Sequence, residues 1–160
     1  MSICVGDSLP VVELRMMVDG APATLSSSEV LGSGRVVLFA VPGAFTPGCS
    51  NLHFPGYVEL ASSISAAGVD TIACVSVNDV FVMDAWGKAQ GSGEILMLAD
   101  PAAAFAEAVG MAVDASGFGL GTRSKRYAMV LQDGVIEAFL PEEDGFGVLA
   151  STASCVLAKL

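Results

Sequence analysis

Arg35-Val-Val-Leu-Phe-Ala-Val-Pro-Gly-Ala-Phe-Thr-Pro-Gly-Cys49 is a short apolar run that passes into a proline- and glycine-punctuated loop and ends on a cysteine. The part from Arg35 to Ala40 is too short for a stable helix and carries adjacent valines, so it reads as a buried central strand. A helical stretch is expected from about Gly48 to Ala67, interrupted at Pro55 and stopped by Gly68. Cys49 then lies between a strand end and a helix start, outside the carboxyl edge of a sheet, where ligands of open α/β folds gather.

Outward from this stretch, Val11 to Met17, Thr71 to Val77 and Ile95 to Ala99 read as further strands. Asp79 can cap a helix running to about Gln90, with Phe81, Val82, Ala85 and Trp86 spaced to share a face. Asp100-Pro101 opens a short Ala-rich helix, with proline in a first turn that needs no N–H. Beyond Gly110 a glycine-rich loop leads to Tyr127–Leu131. Gln132-Asp133-Gly134 makes a turn, and Val135 to Leu140 returns as the second arm of a hairpin. A last helix is expected over Gly147 to Lys159. No repeat, linker or low-complexity segment divides the chain, so residues 1–160 read as a single domain. Strands separated by helices, then a hairpin and a helix, describe a three-layer α/β sandwich of thioredoxin type around a central mixed sheet. The topology alone says nothing about chemistry.

Composition narrows the function. The hydrophobic fraction is 53% and the mean hydropathy +0.66, high enough to raise the question of a membrane span. The longest uncharged run, Val36 to Val58, contains Pro42, Pro47, Pro55, Gly43, Gly48, Gly56, Asn51 and His53, which no spanning helix carries together. The expectation is a soluble chain. A net charge of −10 repels phosphate and argues against nucleic acid or an anionic membrane as partner. The opening Met1-Ser2-Ile3-Cys4-Val5-Gly6-Asp7 lacks the basic and apolar regions of a secretory signal, so a cytoplasmic location is expected. Cysteines at 4, 49, 74 and 155 form no Cys-x-x-Cys, which gives neither a zinc site nor a dithiol motif. They read as free thiols in a reducing compartment, with no metal and no cofactor.

In the first helical turn, unpaired N–H groups and the helix dipole favour an anion, and hence a thiolate on Cys49. Thr46, three residues earlier, offers a hydroxyl that can donate to a substrate oxygen while accepting from a neighbour, and it can cap the helix as well. Arg123, Lys125 and Arg126 cluster in an acidic chain. They are either a solvated loop or the counter-charge of a local anion, and an arginine is suited to a thiolate because it stays charged and donates several bonds. His53, four residues after Cys49, could share its helix face and would permit a Cys-His hydrolase. Packing or hydrogen bonding is the better account of it, because a hydrolase leaves Thr46 and the arginine without a task.

Pro42-x-x-x-Thr46-x-x-Cys49 resembles the active-site signature of peroxiredoxins. The fuller Pro-Gly-Ala-Phe-Thr-Pro-Gly-Cys-Ser, followed by His53-Phe54-Pro55-Gly56, resembles the type II subfamily, which includes peroxiredoxin-five. The similarity continues through Ser76-Val77-Asn78-Asp79, Phe81-Val82-Met83 and Trp86. It resumes at Leu98-Ala99-Asp100-Pro101 and at Gly119 to Tyr127. The resemblance implies a peroxidatic Cys49 that becomes a sulfenic acid, a Thr46 that bonds the peroxide, and a Pro42 that shields the pocket. It implies further that Arg126 holds thiolate and peroxide, and that the N–H groups of Gly48 and Cys49 complete the cradle. Hydrogen peroxide and organic hydroperoxides are the implied substrates, glutathione with glutaredoxin or thioredoxin the reductant, and a homodimer the assembly.

The second thiol is left open by the resemblance. Ala150 stands where one branch has a resolving cysteine, and plant-like members carry a second cysteine in the strand matched by Cys74. Cys74 is therefore the candidate resolving thiol, although Ile72, Val75 and Val77 around it favour a buried, inert group. Cys155 and Cys4 read as incidental. The expectation is a one-cysteine enzyme whose open pocket admits an external thiol. A sensor that passes oxidation from Cys49 to a partner protein would use the same thiolate.

Overall fold

The computed structural model describes residues 2–160. Strands β1 (Glu13–Val18) and β2 (Ala21–Ser26) form a hairpin that leads into helix α1 (Ser27–Leu31) and strand β3 (Arg35–Val41). A helical run follows, beginning with a π-helical segment Cys49–His53 and continuing as α2 (Phe54–Ala66). Next come β4 (Thr71–Ser76), α3 (Val80–Gln90), β5 (Leu96–Ala99) and α4 (Ala104–Ala108). The chain closes with β6 (Ala112–Asp114), β7 (Thr122–Ser124), β8 (Tyr127–Gln132), β9 (Val135–Pro141) and α5 (Ala153–Leu157). Seven strands make one sheet in the order β2-β1-β5-β4-β3-β8-β9, while β6 and β7 pair separately. β3 is parallel to β4 and β4 to β5, whereas β8 is antiparallel to β3 and β9. The sheet is therefore mixed, as the sequence led one to expect.

The period of two in β3 and β4 creates two cores. Val37, Phe39 and Val41 with Cys74 face α2, α3 and α5, packing on Tyr57, Trp86 and Val156. Val36, Leu38 and Ala40 with Ala73 and Val75 face the other way, onto Leu31, Phe105 and Val109. Phe39 stacks on Tyr57 with ring centroids 3.7 Å apart, and each such fully buried ring contributes roughly 1.5–3 kcal/mol. Helix layers on both faces of one sheet give the three-layer sandwich. At the hairpin tip Asp133 and Gly134 both take positive φ, 49° and 79°, the conformation that Asp-Gly supplies for a two-residue turn.

Several elements differ from the sequence expectation. The helix from Gly48 to Ala67 is widened rather than interrupted at Pro55. The Phe54 N–H bonds to the Cys49 carbonyl five residues back, and this π turn makes room for a proline ring that would strike the carbonyl four back. On α3 the inward residues are Val80, Met83, Trp86 and Gly87, while Phe81 is 62% exposed and Ala85 is exposed. Capping by Asp79, which accepts from the Val82 N–H at 2.8 Å, sets that rotation. Pro101 does not start α4. It sits in a turn closed by the Ala103 N–H on the Asp100 carbonyl, and Asp100 instead caps the helix through the Phe105 and Ala106 N–H groups. The glycine-rich loop after Gly110 contains β6 and β7. The last helix shrinks to α5, because residues 142–151 wrap around the Glu142 carboxylate. β2 and α1 were not anticipated.

Candidate active site

β3 delivers the chain to Val41 at the carboxyl edge of the sheet, and residues 42–46 turn back into the helix. The Thr46 Oγ1 donates to the Gly43 carbonyl at 2.7 Å, and the Thr46 carbonyl accepts from the Ser50 N–H at 2.9 Å. Thr46 thus begins the helix, and Pro47 occupies the position where a missing N–H costs nothing. The N–H groups of Gly48 and Cys49 lie ahead of the first intrahelical bond, free for an anion. Phe45 has φ 63°, a strained value for an aromatic residue. Its neighbours hold it there. The Ala44 N–H donates to Asn78 Oδ1 at 3.0 Å, and Asn78 Oδ1 also accepts from Ser76 Oγ at 2.6 Å. Arg123 donates to the Val77 and Leu120 carbonyls, both at 2.9 Å. Strain of this kind persists only where surrounding bonds over-determine it, typically at functional sites.

Cys49 and Pro42 are buried, and so is Arg126 just before β8. Arg126 spends its donors on three acceptors: Nε to the Phe146 carbonyl at 3.2 Å, Nη1 to His53 Nδ1 at 3.0 Å, and Nη2 to Cys49 Sγ at 3.4 Å. A Cβ at position 48 would come within 3.1 Å of Arg126 Nη2, so Gly48 is what lets the guanidinium close on the sulfur. Among the described residues Arg126 has no carboxylate partner. A buried cation needs a counter-charge, and the one group in contact able to become an anion is the Cys49 thiol. The basic cluster of the sequence is divided by the fold: Arg126 faces Cys49, Arg123 ties loops together, and Lys125 packs along Gly145.

A guanidinium only donates, so His53 Nδ1 must accept and Nε2 carries the proton, which it gives to the Ser151 carbonyl at 2.9 Å. Burial lowers the His53 pKa to about 4; the Ser151 bond and Glu142 pull upward and the Arg126 charge downward. His53 is therefore neutral at physiological pH. It stands edge-on to Phe39 and Tyr57, with centroids 5.4 and 5.5 Å away, which fixes the ring plane. The hydrogen-bonding role expected of His53 is what the geometry shows, directed at Arg126 and not at the sulfur. Sequence reasoning missed Ser50, whose Oγ accepts from Trp86 Nε1 at 2.9 Å, and also Asn78, Glu142 and Ser151. Glu142 stands in the run Glu142-Glu143-Asp144, where nothing in the sequence marks the first acid as buried.

Cys74 pairs with Phe39 in the sheet and is fully buried; burial, then the nearby Cys49, push its thiol pKa well up. Cys155 Sγ donates to the Leu149 carbonyl at 3.3 Å, and Cys4 is exposed near the N-terminus. All four thiols are free. The open pocket expected at the sulfur is absent, because Cys49 has no exposed surface. A concavity of about 640 Å³ lies at the opposite end of β4 and β5, beside Asp70 and Glu94, and does not include Cys49. No cluster of metal-ligating side chains occurs among the described residues.

A redoxin family model matches residues 4–146, nearly the whole chain. The chain belongs to the redoxin family. Within it, relatives are peroxiredoxins of the type II kind. "Peroxiredoxin-2E-2, chloroplastic" of Oryza sativa is 46% identical over 150 residues, covering 90% of this chain and 67% of the relative. "Hybrid peroxiredoxin hyPrx5" of Haemophilus influenzae is 39% identical over 162 residues, covering 100% of this chain and 67% of the relative. The chain thus spans about two thirds of the length of these relatives. A crystal structure of reduced Prx3 from Vibrio vulnificus in complex with H2O2 is 47% identical, covers 98% of each chain and has a TM-score of 0.93. The thioredoxin-like fold and the type II resemblance are both borne out. Thiol-dependent reduction of peroxide through a cysteine is the activity of this family, and it suits a buried thiol with an arginine as its counter-ion. No helix among the described residues is long and apolar enough to cross a membrane.

Proposed function

We propose that residues 1–160 act as one domain that reduces hydroperoxides at Cys49, and that Arg126, Thr46 and Pro42 serve this sulfur. The observation that carries the reading is the buried guanidinium of Arg126, which lies against Cys49 Sγ and, among the described residues, has no carboxylate partner. The Cys49 thiolate attacks the terminal oxygen of ROOH, the S–O bond forms as O–O breaks, and the departing alkoxide takes up a proton. Cysteine sulfenic acid and an alcohol, or water, result. Charge moves from sulfur to the leaving oxygen. Arg126 and the N–H groups of Gly48 and Cys49 stabilise it at both ends, which is electrostatic catalysis by preorganised donors. Thr46 Oγ1, now bonded to the Gly43 carbonyl, still has lone pairs to accept a peroxide O–H. Pro42 offers no N–H and shields the sulfur from water.

Regeneration needs two thiol equivalents. With Cys74 buried in the sheet and held as a neutral thiol, an external thiol supplies them: glutathione with glutaredoxin, or thioredoxin. A cytoplasmic setting supplies either. Phe45, Phe81 in the first turn of α3 and Phe118, each more than half exposed, flank the segments that Asn78 and Arg123 tie together beside the site. A second copy covering them would form the homodimer, which sedimentation at micromolar concentration would detect; a monomer there removes the pairing. The activity itself is tested by Cys49→Ser, whose hydroxyl is a far weaker nucleophile at neutral pH. Peroxide consumption with glutathione and glutaredoxin, or with thioredoxin, should vanish in that variant. Turnover at the wild-type rate would overturn the assignment.

A further inference from the structure

Behind Arg126 a line of hydrogen bonds runs 16 residues further along the chain (142 − 126), into the loop that replaced the expected last helix. Each donor in it points the same way. Arg126 Nη1 donates to His53 Nδ1 at 3.0 Å, and His53 Nε2 lies 2.9 Å from the Ser151 carbonyl and 3.1 Å from Ser151 Oγ. Ser151 Oγ in turn donates to Glu142 Oε1 at 2.7 Å. That oxygen also accepts from the N–H groups of Leu149, Ala150 and Ser151 at 2.8–2.9 Å. Glu142 is 5% exposed and Ser151 and His53 are at most 1% exposed, so water does not compete for these bonds. Burial opposes the charge on Glu142, but its bonds to Ser151, Ala150 and Leu149 outweigh that and lower its pKa.

We propose that Glu142 and Ser151 are positioning residues for the peroxide reaction, acting through His53 to hold the Arg126 guanidinium against Cys49. The inference rests on the assignment of Cys49 as the reacting sulfur. Ser151 Oγ has one hydrogen, and the carboxylate claims it, so the lone pairs of the hydroxyl remain to share the His53 Nε2–H with the Ser151 carbonyl. Drawing that proton toward Ser151 makes Nδ1 a stronger acceptor for Arg126, since bonds in a chain polarise one another. A charged acceptor at the far end strengthens the first link. Arg126 is thereby fixed at two corners, by the Phe146 carbonyl and by His53, and its third corner points at sulfur. Tyr57 Oη donates to the same Ser151 carbonyl at 2.7 Å and keeps that residue in register.

Ser151→Ala separates this role from folding. It removes the hydroxyl link yet leaves the Ser151 carbonyl for His53 and three N–H groups for Glu142, so no buried group is orphaned. Glu142→Gln removes the charge but keeps an acceptor oxygen. Each variant, melting within a few degrees of wild type, should oxidise roughly three- to tenfold more slowly with hydrogen peroxide, a chain contact being worth on the order of 1 kcal/mol. Ser151→Thr should restore the rate. The same changes in an Arg126→Ala background should slow oxidation no further, because residues acting through one group are non-additive. Since His53 is the only histidine, the 15N signals of its ring should shift in both single variants. Wild-type rates in Ser151→Ala and Glu142→Gln, or an undiminished loss when Arg126 is already absent, would overturn the proposal. Persistent turnover by Cys49→Ser would instead overturn the assignment beneath it, so the two failures are told apart.

Discussion

Replacing Arg126 with alanine removes a charge 3.4 Å from a buried sulfur. At an effective dielectric constant near 20, two unit charges at that separation attract by about 5 kcal/mol, a ceiling before desolvation is subtracted. A charge-assisted hydrogen bond contributes about 1.5–3 kcal/mol net, which sets the working range. Arg126→Ala should therefore slow oxidation of Cys49 by roughly ten- to 150-fold, at 1.36 kcal/mol per factor of ten. Arg126→Lys should recover only part, because one ammonium cannot reach Phe146, His53 and Cys49 together as the guanidinium does. The alanine variant also strips the His53 and Phe146 acceptors, at about 1–3 kcal/mol each, so some loss of stability is expected and should be measured beside the rate. The single Trp86 is a built-in probe, since its Nε1 donates to Ser50 Oγ next to Cys49. Stopped-flow fluorescence with hydrogen peroxide in excess reads the second-order rate constant directly. An Arg126→Ala protein that stays folded and oxidises at the wild-type rate would refute the reasoning, because then no anion depends on the buried cation.

Other outcomes follow from the same geometry. The His53 pKa falls from its ordinary 6.5 to about 4, so the unfolded chain binds the proton first. Its contribution is fully present above pH 6.5 and is lost as pH falls toward 4, about 3 kcal/mol by linkage. Urea titrations at pH 7.5 and 4.5 should show a steeper decline for wild type than for His53→Gln, and equal declines would exclude the histidine. After one equivalent of peroxide, disulfide mapping should find no intramolecular bond in good yield, because Cys74 lies within the sheet and Cys155 on α5. The triple variant Cys4→Ser, Cys74→Ser, Cys155→Ser should keep glutathione-dependent turnover. A stoichiometric Cys49–Cys74 bond, with turnover lost in the triple variant, would establish an internal resolving thiol.

The central elements were legible because their signals are local. β3 and β4 are short β-branched runs buried on both faces, the Asp79 cap stands where the helix starts, and Asp133-Gly134 supplies the two positive φ angles of the hairpin. Cys49, Thr46 and Arg126 were legible as a motif, and the fold brings two of them, Cys49 and Arg126, into direct contact. Where tertiary contacts override a local pattern, reading failed. The segment from Gly147 onward is apolar enough for a helix, but Glu142 offers its backbone N–H groups a better partner than intrahelical carbonyls. Phe81 fits an inward spacing on α3, yet the cap turns it outward while Trp86 of the same expected face stays in the core. Pro55 reads as a break because sequence alone cannot show that an extra residue in the preceding turn absorbs the ring.

The depth at which legibility ends has a physical reason. A motif records residues whose spacing along the chain is short, and Thr46 to Cys49 is three positions. Arg126 is 77 positions from Cys49, and it was found only because a known signature ties the two. The next contacts, His53 to Ser151 at 98 positions and Ser151 to Glu142 at nine, are defined by burial and bond direction. Glu142, Glu143 and Asp144 are equivalent as letters. Only the fold makes the first of them an acceptor for four donors and leaves its neighbours in water. A buried arginine without a carboxylate therefore says more than the motif does. The sulfur lies against its charge on one side, and on the other it donates to His53 Nδ1, a nitrogen that can only accept because the ring proton sits on Nε2.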